Sequence, residues 1–87
     1  MRIFILDGNK MTDKKASYEH IQDVLLFPDY FGKNLDALED CLDEMDENNV
    51  IILSNKKALL DNLEEYGEKI IKIFKKCSEG SFSFVEQ

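Results

Sequence analysis

Carboxylates dominate the segment between residues 36 and 47, where they recur at the three- and four-residue steps that bring side chains to one face of a helix. They are Asp36, Glu39, Asp40 and Asp43, and Glu44, Asp46 and Glu47 extend the charge. Neighbouring like charges repel by roughly 0.2–0.5 kcal/mol per close pair on an isolated helix. Only Lys33 is basic between Pro28 and Asn49. The pattern indicates either a surface for a basic partner or a solvated acidic face, and spacing alone leaves both open.

Carboxylate pairs such as Asp36 and Asp40 also serve as acid and base in glycoside hydrolysis. Side chains one turn apart on an exposed helix face, however, have no enclosing pocket to tune them differently or exclude water. His20 is the only histidine, and Cys41 and Cys77 fall on apolar helix positions that favour reduced thiols. No metal-ligand motif or phosphate-cradling loop is present. We therefore predict no catalytic residue, no metal and no cofactor, and a protein that is not an enzyme.

A helix beginning at Asn34 would position the carboxylates. Asn34 is a favoured N-cap residue, and Asp36 lies where the helix dipole favours an anion. Apolar residues occupy the opposite side at helical spacing. These are Leu35, Leu38, Leu42 and Met45, with Cys41 beside them. The spacing predicts a helix over residues 34–46 with one face in the core and the other face acidic.

Alternating elements surround this helix. Apolar runs predict a buried strand at 2–6 and a central strand at 50–53, and an alternating pattern predicts a third strand at 81–85. Helical spacing predicts further helices over 13–26, around 59–63 and around 70–77, the last ending at Gly80. The order β-α-α-β-α-α-β favours parallel strands with right-handed crossovers. The predicted fold class is α/β, a single-layer three-stranded parallel sheet with about four helices packed against it.

Composition limits the function. The chain of 87 residues is long enough for one domain over residues 1–87, and 44% hydrophobic residues favour a folded globule. A net charge of −7 disfavours nucleic acid as a ligand and favours a basic protein partner. The sequence has no apolar run that would span a membrane and no secretion signal, so we expect a cytoplasmic protein. The same net charge favours a monomer when the protein is free.

Two aromatic residues, Tyr30 and Phe31, lie in the turn before the acidic helix. Phe31 is expected to pack inward. For Tyr30 the sequence leaves both burial and exposure open, and an exposed ring would be able to anchor a partner.

The segment from Pro28 to Leu42 resembles the signature of the barstar family, small intracellular inhibitors of secreted ribonucleases. It combines the aromatic pair, a glycine, Asn-Leu-Asp-Ala-Leu and Asp-Cys-Leu. The rest of the chain is similar to the family in element order, length, acidity and terminal strand. The resemblance implies a fold of three parallel strands with helices. It also implies an antitoxin or immunity role, in which the protein binds a small basic, barnase-like ribonuclease one-to-one and blocks its active site.

Carried over position by position, the resemblance implies that Tyr30, Asn34, Asp36 and Asp40 face the ribonuclease active site. Gly32 would allow the backbone to approach the enzyme closely. Asp40 would be the central anchor, its carboxylate standing in for an RNA phosphate among basic groups.

Two positions depart from the family pattern. Glu39 stands where the best-known members carry a tryptophan, and Lys76 falls near an acidic position of the prototype. The rim of the interface is therefore expected to suit a different ribonuclease or another basic protein. The candidate partner-binding residues are Tyr30, Gly32, Asn34, Asp36, Glu39, Asp40 and Asp43. An alternative is an acidic interaction module or nucleic-acid mimic, which would depend diffusely on Asp43, Glu44, Asp46 and Glu47.

Overall fold

A computed structural model describes all residues from 1 to 87. Three strands and four α-helices form in the predicted order, and a short 3₁₀ helix, which was not predicted, lies between the first strand and the first helix. They are β1 (Arg2–Asp7), the 3₁₀ helix (Gly8–Lys10), α1 (Lys14–Leu25), α2 (Leu35–Asp43), β2 (Asn49–Ser54), α3 (Lys56–Leu63), α4 (Glu65–Ser78) and β3 (Ser83–Glu86). No helix has the length and apolar character that crossing a membrane requires.

The three strands form one sheet in the order β1-β2-β3, and both pairs are parallel. The predicted α/β fold and the central place of β2 are thus confirmed. Ile51 and Leu53 of β2 are buried beneath the helices. A β-α-α-β connection carries the chain back to the same end of the sheet each time, and this return makes the strands parallel.

The prediction that the first strand is buried was wrong for one of its faces. β1 is an edge strand, in which Leu6 is 1% exposed whereas Ile3 and Ile5 are 56% and 58% exposed. Successive strand residues point to opposite sides of the sheet. A continuous apolar run does not reveal whether both sides are covered, and here helices cover only the side of Phe4 and Leu6.

One hydrophobic core of 16 buried residues joins all four helices to the sheet. Helix α2 contributes Leu38 and Leu42, both 0% exposed, and α4 contributes Ile70, Phe74 and others to the same cluster. Burying a leucine side chain contributes roughly 1.5–3 kcal/mol relative to leaving it in water. The apolar face of α2 is therefore fixed against the body of the protein, and its opposite face is directed outward.

Helix α2 ends at Asp43, three residues before its predicted end at Asp46. Its last turn has no basic residue, and carboxylates at a helix C-terminus are disfavoured by the dipole. Asp46 instead accepts hydrogen bonds from the backbone N–H of Asn48 and the side-chain amide of Asn49, at 3.1 and 3.2 Å. These bonds form the turn that leads into β2.

The chain between α4 and β3 turns sharply at Gly80, where φ is +71°. Ser81 donates its backbone N–H to Ser78 O across this turn, and a positive φ at its third position favours glycine. The predicted end of the long helix at Gly80 is confirmed. Because this turn includes Ser81, β3 begins at Ser83, two residues after its predicted start.

Candidate protein-binding surface

Asn34 fixes the start of helix α2. Its backbone is extended, with φ −145°, and its Oδ1 accepts a hydrogen bond from the backbone N–H of Ala37 at 2.8 Å, as expected for an N-cap. Its Nδ2 donates to Gly32 O at 3.2 Å. The side chain of Asn34 therefore ties the preceding loop to the helix.

The loop before α2 presents one aromatic ring and buries the other. Phe31 is 6% exposed and makes edge contacts with Tyr18 and Phe27, at centroid distances of 5.9 and 5.1 Å. The inward packing predicted for Phe31 is thus found. Tyr30 is 88% exposed. Since its neighbour anchors the loop in the core, the Tyr30 ring is held out in solvent beside α2.

Gly32 has a structural reason to be glycine. A Cβ at this position would lie 3.2 Å from Ala37 Cβ and 3.3 Å from Asn34 Nδ2. Both distances are tighter than ordinary van der Waals contact, so a Cβ would fit here only if these neighbours shifted slightly. The absence of a side chain lets the loop carrying Tyr30 lie against α2.

The outward face of α2 has two borders, which we name by their neighbours. The loop-side edge consists of Tyr30, Asp40 and Glu44. These residues, with Pro28 and Cys41, line a hollow of about 130 Å³. Asp40 and Glu44 are exposed, and their carboxylates make no ion pair or hydrogen bond within the chain. Two carboxylates one turn apart beside an aromatic ring form an arrangement suited to a cationic side chain.

The α4-side edge consists of Glu39, Asp43 and Lys76. Glu39 Oε2 and Lys76 Nζ lie 3.1 Å apart and form an ion pair between α2 and α4. The hydrogen bond to Glu39 and the charge of its carboxylate raise the pKa of Lys76 above its ordinary value. The two residues that depart from the family pattern, Glu39 and Lys76, thus neutralise each other's charge.

A cysteine lies beneath the α4-side edge. Cys77 is 7% exposed, and its Sγ donates a weak hydrogen bond to Glu39 O at 3.9 Å. Burial, followed by the influence of the Asp43 and Glu39 carboxylates, raises the pKa of the Cys77 thiol to about 12. The thiol is protonated at neutral pH and acts as part of the core packing.

The structure gathers most of the predicted site residues on one surface. Asp36, Asp40 and Asp43 are exposed on the outward face of α2, with Tyr30 beside them and Gly32 and Asn34 at the start of the helix. Glu39 differs because its carboxylate is half-buried and already paired. The segment from Pro28 to Asn49 itself supplies no base to Glu39. The base comes from α4, which local spacing does not reveal.

Glu44 lies on the candidate surface although it was not among the predicted partner-binding residues. It follows Asp40 by four residues, the spacing that places it directly one turn further along the same helix face. It is the residue immediately after α2, and its backbone N–H donates to Cys41 O and Leu42 O. The signal was present in the sequence, but Glu44 was grouped with the charges beyond the helix.

Comparison with known proteins places the chain in a family. A family model described as "Barstar (barnase inhibitor)" matches residues 1–83. The chain belongs to the barstar family. A protein of Bacillus subtilis (strain 168) named "Putative ribonuclease inhibitor YrdF" is 32% identical over 80 residues, which cover 91% of this chain and 88% of that protein. Proteins of the barstar family are inhibitors rather than enzymes. The barstar-like fold implied by the resemblance is the fold observed here.

Proposed function

We propose that this member of the barstar family inhibits a small basic, barnase-like ribonuclease by one-to-one binding, with the acidic face of α2 covering the enzyme active site. The observation that carries the proposal is the pair of exposed aspartates on α2, Asp36 and Asp40, neither of which has an ionic partner in its own chain. Their helix is held rigidly by buried leucines and an N-cap, so the carboxylates are positioned before any partner arrives.

Asp40 is the central anchor in this proposal. A ribonuclease holds the RNA phosphate with cationic side chains, and a carboxylate on a rigid helix offers the same groups charge-assisted hydrogen bonds. Asp36 extends the negative charge by one turn towards the helix start. Tyr30 supplies an aromatic surface next to Asp40, and aromatic residues at the centre of an interface contribute strongly to binding.

The remaining candidate residues have lesser roles. Gly32 and Asn34 hold the loop and the helix start in the geometry that the contact needs. Asp43 adds charge at the edge of the contact. Glu39 contributes least, because Lys76 already occupies its carboxylate.

Inhibition of this kind involves no bond chemistry by the inhibitor. The net charge of −7 steers a basic ribonuclease towards the protein, and this attraction weakens as salt screens the charges. The biological setting that fits is a cytoplasmic antitoxin or immunity protein, monomeric when free, that protects its cell from a ribonuclease.

Affinity capture combined with an activity assay tests the proposal. The wild-type protein and the Asp36→Asn/Asp40→Asn variant are immobilised, and lysate and culture medium of the source organism are passed over both. The fraction retained only by the wild type is expected to degrade RNA. Added wild-type protein should stop that activity at a one-to-one ratio, and the variant should not.

A retained basic protein without ribonuclease activity would contradict the proposal and favour the acidic module or nucleic-acid mimic. Equal retention on the wild type and the variant would show that Asp36 and Asp40 do not direct binding. In that case the diffuse charge of Asp43, Glu44, Asp46 and Glu47 would be the next set to replace.

A further inference from the structure

The Glu39–Lys76 pair places a positive charge at the border of an acidic surface. Glu39 lies beside Asp40 in sequence and one turn from Asp36, so Lys76 borders the carboxylates that the proposed function uses. The side chain of Lys76 is 69% exposed, whereas that of Glu39 is 35% exposed. The ammonium is therefore the outer charge of the pair, and an approaching protein meets it before it meets the carboxylate.

A second lysine of α4, Lys72, lies near this border, although it also lines a hollow towards α3 and β3 with Glu68 and Glu86. Lys72 precedes Lys76 by four residues, so the two side chains lie on the same face of α4. Lys72 is exposed and has no ion-pair partner in the chain. The surface charge is thus negative on the outward face of α2 and positive at the border with α4. At the loop-side edge it remains negative.

We propose that Lys76, held in place by Glu39, determines specificity by excluding ribonucleases that carry a basic residue opposite α4. The inference rests on the proposed function. Ribonuclease active sites are lined with cations that bind RNA, so a lysine at the border of the inhibitor meets like charge on most such enzymes. Interfaces achieve selectivity by placing a repulsive element against unwanted partners as well as attractive contacts towards the right one. The matching ribonuclease carries a neutral or acidic residue at the facing position.

Barnase, the enzyme named in the description of the family, serves as the probe. Dissociation constants for barnase are measured for the wild type, Lys76→Gln and Glu39→Gln/Lys76→Glu. The double variant reverses the charge at position 76 and retains a hydrogen-bonding partner at position 39. The matched control is Lys57→Gln, which breaks the exposed Lys57–Asp61 pair on α3, at 2.7 Å. All three variants shift the net charge by −1.

The double variant is expected to bind barnase at least tenfold more tightly than the wild type. Lys76→Gln should gain about threefold, and Lys57→Gln should stay within twofold, since the net charge alone is not the cause. Thermal unfolding of each variant confirms that it is folded. A double variant that binds within twofold of Lys57→Gln or more weakly overturns the inference, and so does the absence of barnase binding by every chain.

A further substitution separates this inference from the proposed function. Asp40→Asn is introduced into the wild type and into the Glu39→Gln/Lys76→Glu chain. If binding is lost with Asp40→Asn while Lys76 makes no difference, the inhibitory role of α2 stands and the role of Lys76 falls. If Asp40→Asn leaves the affinity for barnase unchanged in each chain that binds barnase, the proposed function itself fails.

Discussion

The two edges of the α2 face carry the same residue type in different electrostatic settings. At the loop-side edge, Asp40 and Glu44 lie beside the exposed ring of Tyr30 and are unpaired. At the α4-side edge, Glu39 is paired with Lys76. Glu39 and Asp40 belong to one helix, and Glu44 directly follows it at helical spacing from Asp40. Which of them is free to bind is decided by the element alongside. The loop has one base, Lys33, which forms no ion pair, whereas helix α4 has several lysines, and one of them pairs with Glu39.

The largest expected difference between the edges comes from Asp40→Ala. Truncating a buried charged anchor in a complex costs about 2–5 kcal/mol or more, a range to which complexes of this same family contributed. Binding to the target ribonuclease should weaken by roughly 30-fold to several-thousandfold. Because Asp40 is exposed in the free protein, its stability to urea should change by no more than about 0.5 kcal/mol.

Asp43→Ala is the matched control for Asp40→Ala, since it removes an equivalent exposed carboxylate from the α4-side edge. Its effect on binding should be several-fold at most. Titration of ribonuclease activity with each variant measures both. Equal losses would mean that the partner responds to the total charge of the helix and that the two edges are equivalent.

Tyr30→Ala tests the aromatic part of the loop-side edge. Loss of an interface anchor of this kind should cost about 1–2 kcal/mol, or roughly 5- to 30-fold in affinity. The free protein should keep its stability, because the ring is 88% exposed. Tyr30→Phe retains the ring and should bind within about threefold of the wild type. A loss by Tyr30→Phe as large as that by Tyr30→Ala would assign the effect to the hydroxyl instead.

Asn34→Ala removes the feature that both edges share, the cap of their helix. Loss of an N-cap side chain costs about 1 kcal/mol of stability, and urea unfolding measures it. Asn34→Asp keeps an oxygen to accept from Ala37 N–H and loses only the donation to Gly32 O. It should be more stable than Asn34→Ala. If the two variants are equally destabilised, the bond to the loop is more important than the cap.

Much of the fold was predictable because its determinants are local. The N-cap at Asn34, the turn at Gly80 and the apolar run of β2 each act within a few residues, and each was predicted at the right place. The exposed side of β1 was missed because coverage by helices is a property of the whole sheet. The end of α2 was placed too late because Asp46 forms a turn with asparagines that hydrophobic spacing does not record.

The candidate site also has a part that local sequence predicts and a part that depends on contacts between distant residues. Helical spacing alone predicted that Asp36 and Asp40 point outward and that Leu38 and Leu42 point inward. The pairing of Glu39 with Lys76 joins residues 37 positions apart on different helices. Comparison with the family pattern marked both positions as unusual, but only their juxtaposition in three dimensions shows that they are related.

The smallest expected effect is the contribution of the Glu39–Lys76 pair to folding. Both side chains retain contact with solvent, and exposed ion pairs contribute little because water and salt screen them and their side chains lose freedom. Urea midpoints are compared for Glu39→Gln, Lys76→Gln and the double variant, at low and high salt. The loss should match that of Lys57→Gln, which breaks the exposed pair with Asp61. A coupling that is clearly larger, and unchanged by salt, would make the pair a structural clamp between α2 and α4. The charges of the α4-side edge would then serve to stabilise the fold and not to select the partner.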